Sequence, residues 1–460
     1  MPYKPCAELL GRLVTTIMSH PGISRVSTSL KVLLITFNFP PDAEIGTRRV
    51  AAFCRYLPEF GVQPVVLTVE EHFYKVLDKT IPMPQGFRVV RTPLVNPLYY
   101  YQRIREHFRI KPKVLSGREK VQPAVRKSRG FRHQLLTLLN TPDQYLGWYL
   151  PAIKAAEKLI HNEPIDVVLS TGPPWTPHLI ARHLKKKYHI PWLADFRDPW
   201  ASDPWRYQVL PQWRQRIDRR LEASCVRWAD LVLSATNSIR TQFAGQYPGS
   251  LAKFVTLTNG FDGSNVVKPR TTSQGSHRLF LHLGSLYGGR RIDTFCAALM
   301  DLTDEGLISA AETKVLFVGD NDPEIIAAAQ QVAPKLLQNN CIEFRPSIPW
   351  KEARQFLDRA DVLLIFQGEH RYSVPAKFYE YLQTGKPIFA IVEQGELSEM
   401  LETTGSGLWA DPLDPKNIAR KFVDVLHLPA RPSEEVERLA KLYHFRSLTQ
   451  TLVDWIRFLL

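Results

Sequence analysis

Tyr372–Ile391, YSVPAKFYEYLQTGKPIFAI, carries three signals in one short stretch. Ser373, Val374 and Pro375 interrupt the chain, and a proline at a first helical position suits a helix start. Lys377 to Leu382 then run at helical spacing, with Phe378, Tyr381 and Leu382 on one side. Gly385, Lys386 and Pro387 end that helix, and PIFAI enters a buried strand. A helix N-terminus with a cation one turn in, here Lys377, is a ready diphosphate site, and a carboxylate on the same turn, Glu380, can accept hydrogen bonds from sugar hydroxyls. The plainer alternative is an ordinary loop–helix–strand unit with a surface Lys and Glu.

The same alternation of strand and helix extends in both directions. KVLLITF (Lys31–Phe37) is a continuous apolar strand of the parallel-sheet type. The loop FPPDAEIGTRR follows, then a helix over Val50–Phe60 and a strand over Pro64–Val69. That loop sits at the carboxyl end of the first strand, where open α/β sheets bind ligands, and it holds Gly46 but no GxGxxG. Strands are expected at Asp166–Ser170, at Pro191–Ala194 (running into Asp195-Phe196-Arg197-Asp198), at Asp230–Ser234 and at Val255–Leu257. Trp213, Ile217, Leu221 and Cys225 recur every fourth residue in a helix over Gln212–Trp228, which predicts a core-facing apolar seam with arginines opposite. A second α/β pattern begins with a strand at Arg278–Leu283, the loop GSLYGGRR (Gly284–Arg291) and a helix over Ile292–Leu302. An amphipathic helix is predicted over Leu442–Leu460.

Length calls for two or three domains, and the 44% hydrophobic and 23% charged content is that of a soluble globular chain. No apolar run is long enough to cross a bilayer, and the first residues lack a signal-peptide pattern. Five scattered cysteines without a CxxC pair suggest neither a disulfide framework nor a cysteine zinc site. The simplest location is a reducing cytoplasm. No RRM motif or zinc-finger spacing is present, so nucleic acid is not an expected partner.

A net charge of +14 implies an anionic partner. Between Arg103 and Arg132 there are eleven Lys and Arg against two Glu, interrupted by Pro112, Gly117, Pro123 and Gly130. This basic insertion reads either as a solvated loop or as a membrane-surface element, with Tyr99, Tyr100 and Tyr101 just before it.

The Pro375–Tyr381 segment resembles the donor-binding helix of glycosyltransferase family 4, and Pro-x-Lys-x-x-Glu-Tyr is a form found in one branch of it. Glu380 aligns with the second Glu of the family's paired-glutamate motif, which binds the donor ribose; the first would fall at Tyr372. The loop holding Gly46 is similar to the family's N-terminal glycine loop, which usually has two adjacent glycines where this chain has Ile45-Gly46. Gly284 and Arg290 fit the spacing of the family's glycine and diphosphate-binding cation, with Arg291 the alternative. Arg197 and Asp198 stand where the family often carries a His-Asp pair near the reacting sugar. A helix cap, an Arg–Asp salt bridge or a metal pair of Asp195 and Asp198 are other readings of that cluster.

The resemblance implies an α/β GT-B fold: two Rossmann-like parallel-sheet domains facing a cleft, with a C-terminal helix crossing back to the first domain. The expected boundaries are an extension over 1–30, an acceptor domain over 31–262, a linker over 263–277, a donor domain over 278–430 and a helical crossover over 431–460. The implied reaction is retaining transfer of a sugar from a nucleotide diphospho-sugar to an acceptor hydroxyl, without metal or cofactor. The implied donor-binding residues are Gly46, Gly284, Arg290, Arg291, Pro375, Lys377 and Glu380. The implied catalytic residues are Arg197, Asp198, Arg290 and Lys377. A lipid-linked or saccharide acceptor and an anionic membrane surface at the inner face of the plasma membrane complete the expected partners. A nucleotide-sugar epimerase and a non-enzymatic basic binding protein are the rival readings.

Overall fold

The structure is a computed structural model that describes residues 29–95, 137–202, 210–262 and 277–460, apart from positions 79, 80, 82, 84, 139, 349, 369 and 370. The basic insertion 103–132, Tyr99–Tyr101 and nearly all of the expected extension and linker lie outside the described residues.

The first sheet is built from β1 (Leu30–Ile35), α1 (Ile45–Tyr56), β2 (Val62–Val69), β3 (Arg88–Thr92), α2 (Tyr149–Asn162), β4 (Val167–Gly172), α3 (Thr176–Tyr188), β5 (Trp192–Phe196), α4 (Gln212–Trp228), β6 (Leu231–Ser234), α5 (Asn237–Gln246) and β7 (Phe254–Thr256). Its strand order is β3-β2-β1-β4-β5-β6-β7, parallel throughout. Because both faces of such a sheet are covered, the strands are apolar without alternation. Leu33, Ile35, Val65 and Leu67 pack against Ala152, Ile153, Ile180 and Leu184 of α2 and α3. On the other face, Val32, Leu34, Val66 and Leu169 meet Val50 and Phe53 of α1.

The second sheet takes β8 (Arg278–Leu283), α6 (Ile292–Asp304), β9 (Thr313–Val318), α7 (Pro323–Val332), α8 (Pro334–Gln338), β10 (Ile342–Arg345), α9 (Trp350–Arg359), β11 (Val362–Phe366), α10 (Ala376–Leu382), β12 (Ile388–Ile391), α11 (Glu396–Thr404), β13 (Gly407–Ala410) and α12 (Pro415–Leu426) in chain order. Its strands are ordered β10-β9-β8-β11-β12-β13, again parallel. Phe280, Phe317, Phe366 and Phe389 form its core with Phe295 and Phe422, and Phe280 stacks on Phe422 at 4.4 Å.

Each sheet anchors a compact unit, but the chain is not divided cleanly between them. The helix α10, although it lies in sequence between two strands of the second sheet, groups with the first. So does α14 (Phe445–Leu459), which follows α13 (Ser433–Tyr443). Phe445, Leu448, Leu452, Val453 and Ile456 of α14 complete the apolar face of β1, β2 and α1, with Phe53 edge-on to Phe445 at 6.2 Å. The expected return of the C-terminal helix to the first domain is therefore present.

Four local expectations are corrected. The continuous helix expected over Leu442–Leu460 is broken at His444, where Phe261 inserts its backbone: Phe261 N–H donates to Tyr443 O (3.1 Å) and Phe445 N–H to Phe261 O (3.0 Å). Gly260 permits this approach, since a Cβ there would lie 2.2 Å from Tyr443 O. The first helix starts at Ile45, not Val50, because the Asp42 carboxylate ties the incoming loop: Asn38 Nδ2 (2.7 Å), Glu44 N–H (3.3 Å) and Thr47 Oγ1 (3.4 Å) donate to it. Burial pushes the Asp42 carboxyl up, opposed by these donors.

The α4 seam is only partly as expected. Cys225 is buried in the core and Leu221 packs against it, but Trp213 and Ile217 are half-buried, while Arg214, Asp218 and Glu222 are buried. The charges are tolerated inside because they are matched. Arg214 donates to Asp218 (3.0 Å) and to the carbonyls of Thr137, Asn140 and Pro142 (3.2, 3.0 and 2.6 Å). Glu222 accepts from Ala201 N–H (2.6 Å), Tyr247 Oη (2.7 Å) and Gln246 Nε2 (3.2 Å), and burial raises its pKa. Finally, the helix of the Tyr372–Ile391 stretch ends at Leu382, where its helical spacing stops, but Lys386, read as part of its stop, serves another helix. Lys386 is buried, with its ammonium donating to the carbonyls of Leu357, Asp358 and Ala360 (2.7, 2.7 and 2.5 Å) at the end of α9.

Candidate active site

In an open parallel sheet, ligand-binding loops gather at the carboxyl ends of the strands where the strand order reverses. In the first sheet that point lies between β1 and β4, and in the second between β8 and β11. Gly46 follows β1 and Gly284 follows β8, the strands beside these points.

In the first-sheet unit, the loop after β1 leads into α1. Gly46 belongs to the first turn of that helix. Its missing side chain makes room for Arg197: a Cβ at Gly46 would lie 1.8 Å from Arg197 Nη1. Arg197 Nε donates to Gly172 O (3.3 Å) at the end of β4, and Nη2 donates to Pro173 O. Burial lowers the Arg197 pKa, opposed by Asp198 and Asp195. Asp198 is exposed beside it.

Asp195 takes the salt-bridge reading of this cluster, with a different arginine. It lies within β5, 1% exposed, and its partner is Arg49 rather than Arg197. Arg49 Nη2 and Nε donate to Asp195 Oδ1 and Oδ2 at 2.9 and 3.1 Å, and Thr171 Oγ1 adds a bond of 2.9 Å. Arg49 also donates to Leu257 O (2.9 Å) and Thr258 O (2.6 Å), so one guanidinium ties α1, β5 and the segment after β7. With both oxygens engaged, Asp195 is not half of a metal pair with Asp198. Among the described residues no group of three or more His, Cys, Asp or Glu is placed to hold a metal ion.

The helix α10 belongs to this same unit. Pro375 is its N-cap residue, with φ −65° and ψ 142°, not its first helical residue. Phe378, Tyr379, Tyr381 and Leu382 are buried, and Tyr379 meets Tyr443 at 5.4 Å. Lys377 and Glu380 are left on the partly exposed side. Glu380 Oε1 accepts from Arg48 Nη1 of α1 at 2.5 Å, across 332 positions of sequence. Burial pushes the Glu380 carboxyl up, while Arg48 and then Lys377 pull it down. Tyr372, at the position of the missing first glutamate, offers its backbone carbonyl to Thr236 Oγ1 at 2.6 Å.

In the second-sheet unit, Gly284 leaves β8 with its N–H on Val318 O (2.8 Å), and the loop 284–291 leads into α6. Its two arginines diverge. Arg290 folds over the loop, donating to Ser285 O and lying 4.1 Å above the exposed Tyr287 ring. Arg291 forms a fork with Asp293, Nε at 2.9 Å and Nη2 at 2.9 Å, which raises its pKa. Gly368, just past β11, lies against this loop, its would-be Cβ 3.6 Å from Gly289 C.

Sequence reading singled out Gly46 in the GTRR run and passed over Arg48 and Arg49. Each has a partner far away in the chain, so only the charge itself was visible locally.

Two family models match, one on each half: Glycosyltransferase Family 4 over residues 114–264 and Glycosyl transferases group 1 over residues 277–427. A probable glycosyltransferase, WbjE of Pseudomonas aeruginosa, is 27% identical over 156 residues, which are 33% of this chain and 36% of the relative. The chain thus spans about a third of that relative's length. Among solved structures, the Anabaena protein HepE, in complex with UDP and glucose, superposes with a TM-score of 0.60 at 14% identity over 93% of this chain and all of that one. A glycosyltransferase from Rickettsia africae gives 0.59 at 12% over 94% and 99%. At such identities the likeness is one of fold. Taken with the two parallel sheets, these matches place the chain among the family 4-like glycosyltransferases, with the GT-B type of fold.

Proposed function

We propose that the protein transfers a sugar from a nucleotide diphospho-sugar to an acceptor hydroxyl with retention at the anomeric carbon, in the synthesis of a cell-surface polysaccharide or glycolipid. The observation that carries this reading is the disposition of Glu380 and Lys377 on the partly exposed side of a helix whose other residues are buried. On this reading Glu380 accepts the donor's ribose hydroxyls and Lys377 meets the diphosphate. Arg290, in the second-sheet unit, is a further cation for the diphosphate. Stabilising the departing diphosphate is then the chief catalytic term. The leaving phosphate itself assists removal of the acceptor proton, so no protein nucleophile is needed. Arg197 and Asp198 are proposed to act near the reacting sugar. The solved HepE structures with UDP and with UDP-glucose support a nucleotide-sugar donor.

Calorimetric titration with UDP, GDP, ADP and dTDP tests this. Glu380→Gln and Lys377→Ala are expected to weaken the preferred nucleotide by about tenfold each, in line with the loss of one hydrogen bond to a charged group, with little change in melting temperature. Unaltered affinity in both variants would remove α10 from the donor site.

For the acceptor, we propose a lipid-linked hydroxyl at an anionic membrane surface, held by the basic stretch 103–132. About 1 kcal/mol per basic residue near such a surface makes even half of that stretch sufficient for reversible attachment. No helix among the described residues is long and apolar enough to cross a membrane. Co-sedimentation with phosphatidylserine-containing vesicles is expected at low salt and should fade as salt rises. Indifference to those vesicles at low salt would point to an acceptor in solution.

A further inference from the structure

We infer that Arg48 is a positioning residue for the donor: it holds Glu380 in place and in its charged form, so that the carboxylate presents its other oxygen to a vicinal diol. This rests on the reading of Glu380 as a ribose contact.

Arg48 is exposed, at 56% of its side chain, whereas Glu380 is 18% exposed. Seven residues of helix are too few to fix a long side chain by themselves, and the bond from Arg48 Nη1 to Oε1 supplies the second point of attachment. The Oε2 atom accepts from no described residue. A carboxylate accepts hydrogen bonds from both hydroxyls of a diol only when ionised, since a carboxylic acid must use one oxygen as a donor. Burial works against that ionisation here. The charged groups that counter it are Arg48, from α1, and Lys377, one turn earlier on α10. From the α13 side α10 receives an aromatic contact, Tyr379 against Tyr443, and the loop before α10 receives a hydroxyl from the β6–α5 corner, Thr236 on Tyr372 O. Arg48 is the only one of these groups that bonds the carboxylate directly, and it arrives through the helix whose first turn also accommodates Arg197.

The sign follows from the charge. Without Arg48 the buried carboxyl takes up its proton at higher pH, so donor affinity fails earlier as pH falls. The test measures the dissociation constant of whichever of UDP, GDP, ADP or dTDP binds the wild type most tightly, from pH 5 to pH 8, for wild type, Arg48→Gln, Arg48→Lys and Glu380→Gln. Taking the ratio of variant to wild type at each pH cancels the titration of the nucleotide's own phosphate. Arg48→Gln is expected to bind about tenfold more weakly at the acid end, a loss of the size of one charged hydrogen bond. The defect should shrink toward pH 8, Arg48→Lys should restore part of the affinity, and Glu380→Gln should be weak at every pH. Thermal melting of each variant confirms that it is folded. If Glu380→Gln binds as the wild type does, or if no nucleotide binds the wild type, the donor reading itself fails. If Glu380→Gln is weak while Arg48→Gln matches the wild type throughout, or is weakened by the same factor at every pH, the donor reading survives and the role given to Arg48 is wrong.

Discussion

Replacing Arg49 with alanine is expected to lower stability by about 3–5 kcal/mol, the cost of breaking one side of a buried ion pair. Arg49 and Asp195 are 2% and 1% exposed, so water cannot substitute for the missing guanidinium. The variant would leave the Asp195 carboxylate with Thr171 Oγ1 alone, and would strip a donor from the carbonyls of Leu257 and Thr258. Asp195→Ala should cost a similar amount by leaving the guanidinium uncompensated. The double variant Arg49→Met with Asp195→Leu should recover part of the loss, because the penalty lies in the orphaned charge more than in the pair's net value. Urea unfolding followed by hydrogen exchange in β4 and β5 reads the effect where it arises. A loss below about 1 kcal/mol in Arg49→Ala, the range of exposed ion pairs, would show that the pair is hydrated in solution.

The second large effect concerns turnover. Arg290→Ala is expected to reduce kcat by about 10²–10³-fold, the usual consequence of removing one donor from a developing negative charge. Arg291→Ala should cost much less. The Arg291 guanidinium is committed to Asp293, whereas Arg290 is held by a single carbonyl of its own loop and by the face of Tyr287. The two adjacent residues therefore predict opposite outcomes in one experiment. Steady-state kinetics with saturating donor, accompanied by melting curves, separates them: Arg290→Ala should melt normally and turn over slowly. Near-normal kcat in Arg290→Ala would exclude the loop 284–291 from catalysis.

The sequence revealed most where the signal was local. The strand Arg278–Leu283 and the helix Gln212–Trp228 begin and end where their residues predict, because apolar patterns bounded by polar or turn residues need no distant information. The parallel α/β class was readable for the same reason, whereas the return of the final helix was implied by the family resemblance. The edge strand Arg88–Thr92, with arginines in place of apolar residues, carried no such signal. The errors were errors of partnership. In α4 the seam residues Trp213 and Ile217 were assigned to the core with Cys225, yet only Cys225 is fully buried there, and Arg214, Asp218 and Glu222 are buried beside it, since the carbonyls of 137–142 and the Ala201–Tyr247 region complete their bonding. Lys386 read as part of a helix stop and is a buried cap on another helix. At the candidate site, Glu380, Lys377 and Arg290 were found from spacing and resemblance, while Arg48 and Arg49 were not, because a surface arginine and one that meets a partner 332 or 146 positions away are written with the same letter.

The packing of α14 on the first sheet has a consequence for synthesis. The sheet's last strand closes at Thr256, and α14 begins at Phe445, 189 residues later (445 − 256). At about 5–20 residues per second a ribosome takes roughly 10–40 s to cover that distance. For this interval the apolar face of β1, β2 and α1 lacks Phe445, Leu448, Leu452, Val453 and Ile456, which complete it in the folded chain. The order of translation therefore leaves apolar surface of the first half open until the last residues emerge, and a chain stopped before Phe445 would keep it open.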